Sequence, residues 1–239
     1  MSATTNPPAF HGPIAGQISN ASPTVARWTT LAFAAAGVLW ALFPLLRPWA
    51  DKVPVSSDEV ATAWASDAWV VSHLLGIAAL GLLAPALLGL RQLLAAAPGA
   101  RGATLLGWAT ALAWMGAAGA SLYYGAEIFG IRTFAEAALG RDDMSLLDEV
   151  LDLREQPMAV LLFGVGLLLV AAAGVLAAIA LIRAQVPWAW TGIVFAAGLV
   201  LVLPQFFTPP AMRTAHGMLF GLGCILVAVV AARLGATRR

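Results

Sequence analysis

The sequence predicts an all-α integral membrane protein: six transmembrane helices, both termini on the inner side, and a short amphipathic helix on the outer side. Three observations carry this. Of 239 residues, 61% are hydrophobic and only 10% charged, with a mean hydropathy of +0.86, whereas soluble domains are near half apolar and about a quarter charged. The apolar residues fall into six runs, each near the roughly 20 residues that a spanning helix needs. No run alternates with the period of two that marks a barrel strand, and backbone amides in lipid must bond within their own segment.

Residues 1–26 are rich in Pro, Ser, Thr, Asn and Ala, lack periodicity, and read as a disordered cytoplasmic tail rather than a secretory signal. The six-helix domain then occupies 27–239, with spans at about 28–46, 68–93, 103–129, 158–183, 187–207 and 214–234. Pro85 in the second run and Pro204 near the end of the fifth are kinks that a membrane helix tolerates. The third run continues beyond the lipid to about Leu139, with Gly140 as its stop. In the long outer segment 130–157, the stretch Ser145–Leu153 places Leu146, Leu147, Val150, Leu151 and Leu153 on one helical face. Asp148, Glu149 and Asp152 lie opposite, with Ser145 and Asp148 resembling a capping box. It reads as a helix on the outer membrane surface or on the bundle.

Charge orients the chain. One side carries Arg27, Arg91, Arg101, Arg183, Arg233, Arg238 and Arg239 and no acidic residue, while all twelve acidic residues lie on the other side or at its membrane edge. Short loops rich in arginine and lysine stay inside, which makes the first side cytoplasmic. Twelve arginines against the single Lys52, with much alanine and glycine, point to a bacterial inner membrane.

Topology gives depth, and depth gathers the polar residues. His73 lies about five residues, or roughly 7 Å, into the second span; His216 lies about 4–5 Å below Arg213 at the start of the sixth. Glu127 occupies the last turns of the third span. Tyr123 and Tyr124, four and three residues before Glu127, share its face, and a tyrosine hydroxyl is a candidate partner for the carboxylate. Arg132 and Arg213 are candidate ion-pair partners. The candidate ligand-binding residues are therefore His73, Glu127, His216, Tyr123 and Tyr124. His73, His216 and Glu127 are also a legitimate ligand set for a divalent metal such as zinc or iron. The two histidines alone are a ligand pair for one b-type haem. Gln205, beside Pro204, belongs to the same depth. The competing structural readings are interfacial hydrogen bonds for each residue, and for His216 a close helix contact through the Gly217/Gly221 pair. Gly116, Gly119, Ala120 and Ser121 narrow the third span, which implies a central position facing the second and sixth.

Trp28, Trp49, Trp64, Trp69, Trp188 and Trp190 fall at expected interfaces, and Trp40, Trp108 and Trp114 read as packing within spans. The single Cys224 excludes an intrachain disulfide. No P-loop, dinucleotide-binding, GxSxG or CxxC motif is present, which speaks against ATP hydrolysis by this chain alone. No basic patch with interleaved aromatics points to nucleic acid. The expected partners are the lipid bilayer, a small-molecule or ion ligand, and a membrane protein partner or second copy.

In span number and size the chain resembles the substrate-binding subunits of energy-coupling-type vitamin transporters. Ala32, Ala36 and the AFAAAG stretch resemble the small-residue docking face of their first helix. The resemblance implies a bundle that binds ligand from outside, and it transfers no functional residue. Three functional expectations follow: an outward-facing polar pocket that binds or helps to move a small solute or ion, a haem- or metal-binding membrane protein, or a non-catalytic subunit of a membrane complex.

Overall fold

The computed structural model describes residues 23–50, 56–96 and 101–236, among which there is no β-strand. The expected tail lies outside the described residues up to residue 22. His11, Lys52, Arg238 and Arg239 lie outside them too. The first helix, α1, runs Pro23–Leu46, and its first turns fall where the tail was expected to end.

The remaining helices are α2 (Asp58–Ala65), α3 (Asp67–Ala95), α4 (Ala103–Ala126), α5 (Arg132–Arg141), α6 (Asp148–Glu155), α7 (Pro157–Arg183), α8 (Thr191–Val200) and α9 (Pro210–Ala236). Five stretches are long and apolar enough to cross a membrane: α1, α3, the continuous helix Ala103–Arg141, α7 and α9. The fifth apolar run differs from expectation. Its α-helix is only ten residues long. Bonds three residues apart extend it at both ends, from Ala189 to Val186 and from Phe206 to Leu203. Pro204 does not kink an α-helix but opens a 3₁₀ turn, Pro204–Phe207. Such turns rise about 2.0 Å per residue against 1.5 Å, so a short helix with stretched ends runs from the α7 terminus back to the α9 start.

The helices α1, α3, α4, α7, α8 and α9 form a closed ring in that order, with α9 returning to α1. The expected central position of the third span is thus not realised: α4 is one member of the ring, beside α3 and α7. Small residues set the closest approaches. A Cβ on Gly116 would meet the Gly166 carbonyl at 2.5 Å and Val170 Cγ2 at 2.7 Å, across α4 and α7. Across α1 and α9, a Cβ on Gly217 would meet Pro44 Cγ at 2.6 Å, and one on Gly221 the Gly37 carbonyl at 2.9 Å. In lipid, where apolar burial drives nothing, such backbone proximity is the main source of helix association. The outer faces are as apolar as the core: Leu31, Trp108, Trp114, Met115, Leu168, Ile193 and Leu222 are exposed. Helices apolar on every side are stable in lipid and not in water. Trp108 and Trp114, 65% and 70% exposed, therefore face outward rather than packing within the bundle as expected.

At one end of the ring the chain builds a cap. The 39-residue helix Ala103–Arg141 is about 58 Å long at 1.5 Å per residue, roughly twice the hydrocarbon thickness. Its distal part, α5, packs against α2 and the 3₁₀ turn Met144–Leu147 before α6. Val60, Trp64, Trp69, Ile131, Ala135, Leu147 and Val150 form the cap's own apolar cluster. The short helix α2 was not expected; Ser57 caps its start and Ser66 its end. The amphipathic helix is present and lies on the bundle, with Leu147 and Val150 buried and Asp148, Glu149 and Asp152 exposed. No box begun by Ser145 forms: Asp143 caps the preceding turn Met144–Leu147, its carboxylate accepting from Ser145 N, and α6 itself starts after Leu147 without a side-chain cap. The stop of α5 is Asp142 in the left-handed region (φ 55°), two residues beyond the expected Gly140. An aspartate tolerates that region better than most side chains.

Candidate functional site

His73 and His216 each lie six residues into their helices, which begin at Asp67 and Pro210. That is about 9 Å of rise for both. Glu127 is the first residue of a π-helical turn, Glu127–Ile131, inserted between α4 and α5. Such insertions concentrate at functional positions. This one turns Glu127 toward the ring interior and Ile128 and Ile131 into buried positions. All three residues, with Tyr123, Tyr124 and Gln205, line one cavity of about 170 Å³ beneath the cap. Its walls come from α1, α3, α4, α6, α7, the Pro204–Phe207 turn and α9.

Glu127 is held by two groups. Arg154 Nε donates to Oε1 at 3.1 Å, and His73 Nε2 lies 3.3 Å from Oε2. His73 Nδ1 lies 2.7 Å from the Trp69 carbonyl, which only accepts, so Nδ1 carries a hydrogen. Its other nitrogen, Nε2, faces the Glu127 carboxylate. The Trp69 indole donates to the Glu127 carbonyl at 3.1 Å, tying the π-turn to α3. The expected partners of Glu127 are engaged elsewhere. Arg132 bonds Asp67 at 3.0 Å and Glu136 at 2.7 Å. Arg213 donates to the carbonyls of Thr208 and Phe206. Neither tyrosine bonds the carboxylate: the Tyr123 hydroxyl donates to the Arg154 carbonyl at 3.4 Å. The Tyr124 hydroxyl is buried with no hydrogen bond among the described residues.

Arginine and tryptophan complete the lining; of these, Arg47 and Arg154 were not singled out from the sequence. The Arg47 guanidinium stacks over Trp49 and Trp69, at 4.6 and 5.0 Å from the ring centres. Arg154 lies over Trp64 and Trp69, at 5.1 and 5.7 Å. Arg213 lies over Trp49 and Phe206, at 5.8 and 5.3 Å. Trp69 and Trp64, read as ordinary interface residues, are buried at 0% and 4% exposure and join ring to cap. No spacing signal marks these residues, because Arg47 and Arg154 sit at helix ends and meet Trp64, Trp69 and Glu127 only through long-range contacts.

The two histidines share the cavity but not a ligand geometry. His216 Nε2 donates to the Gly198 carbonyl at 2.7 Å. Phe43 lies 5.3 Å from His73 and Trp40 lies 6.4 Å from His216, ring to ring, with 5.6 Å between Trp40 and Phe43. These α1 aromatics make a chain of ring contacts from one imidazole to the other. Among the described residues, no three His, Cys, Asp or Glu side chains are grouped to hold a metal ion. His73 and Glu127 meet, and His216 is turned to α8.

No family model, curated protein or solved structure matches the chain. The class therefore follows from the fold: five long apolar helices suggest a multi-pass membrane protein in contact with the bilayer.

Proposed function

We propose that this protein spans the membrane six times, with the cap outside and both termini in the cytoplasm, and that the cavity beneath the cap binds a small solute. The observation that supports it is convergence. Three arginines, a glutamate, two histidines and two tyrosines from several elements line one cavity at the head of an otherwise apolar ring. Ionisable groups near a bilayer are costly and are retained where they face a polar site or each other. The short α8 with its stretched turns serves as the sixth span. The opposite end has seven basic residues and no acidic one, against six basic residues on the cap side, an excess that supports the orientation.

Two measurements test this. In cells expressing Arg141→Cys or Arg101→Cys separately, a membrane-impermeant maleimide added outside labels only the former; buried Cys224 stays unlabelled in both. Labelling of Arg101→Cys alone would reverse the orientation. For the pocket, purified protein in detergent is melted with a panel of cationic, anionic and neutral small solutes. At least one raises the unfolding temperature saturably, and the effect is lost in Gln205→Trp, which adds bulk to the wall. A panel without any saturable effect counts against a binding pocket.

A further inference from the structure

We infer that the end of the ring opposite the cap carries a site for the headgroup of an anionic phospholipid, held by Arg101 before α4 and Arg183 at the end of α7. The two arginines line one groove, with Thr104, Ile182 and Gln185 also in its wall. Gly102 brings them together. Its backbone is left-handed (φ 94°), and a Cβ there would meet the Ala180 carbonyl oxygen at 2.6 Å. Glycine meets both demands, so the turn before α4 rests directly on the last turn of α7.

Charge sets the sign of the ligand. No acidic residue occurs in residues 1–50, 68–126 or 156–239. The stretches outside the described residues that adjoin this end, 1–22, 97–100 and 237–239, therefore hold none. Asp51, the one acidic residue outside the described residues, follows Trp49 and Ala50, and Trp49 lines the cavity beneath the cap. No carboxylate side chain is thus available to Arg101 or Arg183, and both are exposed. Two guanidinium groups in one groove repel each other. A phosphate shared between them turns that repulsion into charge-assisted hydrogen bonds, which the guanidinium fork is shaped to make.

The surroundings set the source of the phosphate. Ile182, in the groove wall, is 48% exposed. Thr104 and Trp108 are four residues apart on α4 and share a face, and Trp108 is 65% exposed. It lies about 6 Å deeper than Thr104 at 1.5 Å per residue. A headgroup seated on the arginines leaves its acyl chains against Ile182 and Trp108, whereas a soluble anion leaves that apolar wall unused. Basic grooves between spanning helices at the headgroup level suit anionic lipids in general. A zwitterionic lipid is disfavoured, because its ammonium brings a third positive charge to the groove.

The test uses full-length protein in micelles at constant, physiological ionic strength. Phosphatidylglycerol, phosphatidylcholine and inorganic phosphate are titrated separately. Unfolding temperature and the number of lipids retained in native mass spectrometry are read. Phosphatidylglycerol is expected to raise the unfolding temperature saturably and to be retained; phosphatidylcholine and inorganic phosphate at the same concentrations do neither. Arg101→Gln and Arg183→Gln each weaken phosphatidylglycerol binding about tenfold, as expected for losing a hydrogen bond between charged groups. Both side chains are exposed, so the variants fold and each is compared with its own lipid-free state. Arg27→Gln removes the same charge from the same end, but on α1, which borders α3 and α9 in the ring. It changes affinity less than about twofold, because exposed charges beyond a Debye length are screened. Equal binding of phosphatidylcholine, or an effect of inorganic phosphate that matches phosphatidylglycerol, overturns the assignment. So does an Arg27→Gln loss as large as that of Arg101→Gln, which would make the response one to the net charge of the whole face. Absence of any saturable response to phosphatidylglycerol overturns it as well. Each of these outcomes leaves the reading of the cavity beneath the cap unchanged.

Discussion

Glu127→Gln is the substitution most informative about how the cap is joined to the ring. The carboxylate lies 3.1 Å from Arg154 Nε and 3.3 Å from His73 Nε2, with side chains 12%, 19% and 1% exposed for Glu127, Arg154 and His73. At an effective dielectric near 20, the Arg154 contact is worth about 5 kcal/mol of Coulomb energy before desolvation is counted. Desolvation offsets much of that, and the partial exposure of Glu127 and Arg154 lowers it further. Removing one partner of a buried pair costs 3–5 kcal/mol in general, so an amide that keeps the shape and loses the charge should cost about 3 kcal/mol. For a chain of this length that is a fall of roughly 6–12 °C in unfolding temperature. Tryptophan emission during thermal unfolding in detergent reports it, since Trp64 and Trp69 sit at the joint. A double-mutant cycle with Arg154→Gln isolates the pair: the double variant should lose less than the sum of the singles by about 1 kcal/mol or more. A Glu127→Gln protein that melts within a degree of the parent, or strict additivity with Arg154→Gln, would refute the view that this carboxylate ties cap to ring.

Four other outcomes follow from the same structure. Gly116→Leu forces a side chain onto the Gly166 carbonyl and should cost about 1–3 kcal/mol or more through overpacking, seen as lower unfolding temperature and poor monodispersity. Gly164→Ala, where an added Cβ meets nothing within 4 Å, should be neutral or stabilising by a few tenths of a kcal/mol up to about 1. Trp69→Phe removes the indole donor to the Glu127 carbonyl and should cost about 1 kcal/mol; an unchanged unfolding temperature would show that the bond is dispensable. In single-tryptophan variants reconstituted with brominated lipids, Trp108 and Trp114 should be quenched strongly and Trp40 and Trp69 weakly, following their exposure; equal quenching would contradict the ring packing.

The helices themselves were legible because lipid leaves the backbone few choices. A long apolar run in a bilayer has to bond internally, so α1, α3, α4, α7 and α9 follow from composition and length alone. The exception is α8, where the run is long enough yet the helix is short. The sequence cues are Pro187 and Pro204 at its two ends, which remove backbone donors where the 3₁₀-type turns replace α-helix.

Depth also followed from sequence, since rise per residue is constant. It placed His73, Glu127, His216, Tyr123, Tyr124 and Gln205 at one level, and all six line the same cavity. Partners did not follow. Depth is one coordinate, and pairing needs the angle around the ring as well, which is set by where small residues let helices approach. Hence Arg154 rather than Arg132 or Arg213 bonds Glu127. Hence also His216 turns to the Gly198 carbonyl instead of joining His73. The π-turn at Glu127 and the cap depend on contacts between residues far apart in sequence, such as Ser56 with Asp148 and Trp69 with Glu127. The sequence alone determined the solvent, the helices and the level of the polar residues, because those depend on local hydropathy and a fixed helical rise. Only the tertiary structure decided which of those residues touch, and it brought in Arg47, Arg154 and Trp69, because side-chain pairing is set by the order and rotation of helices around a closed ring.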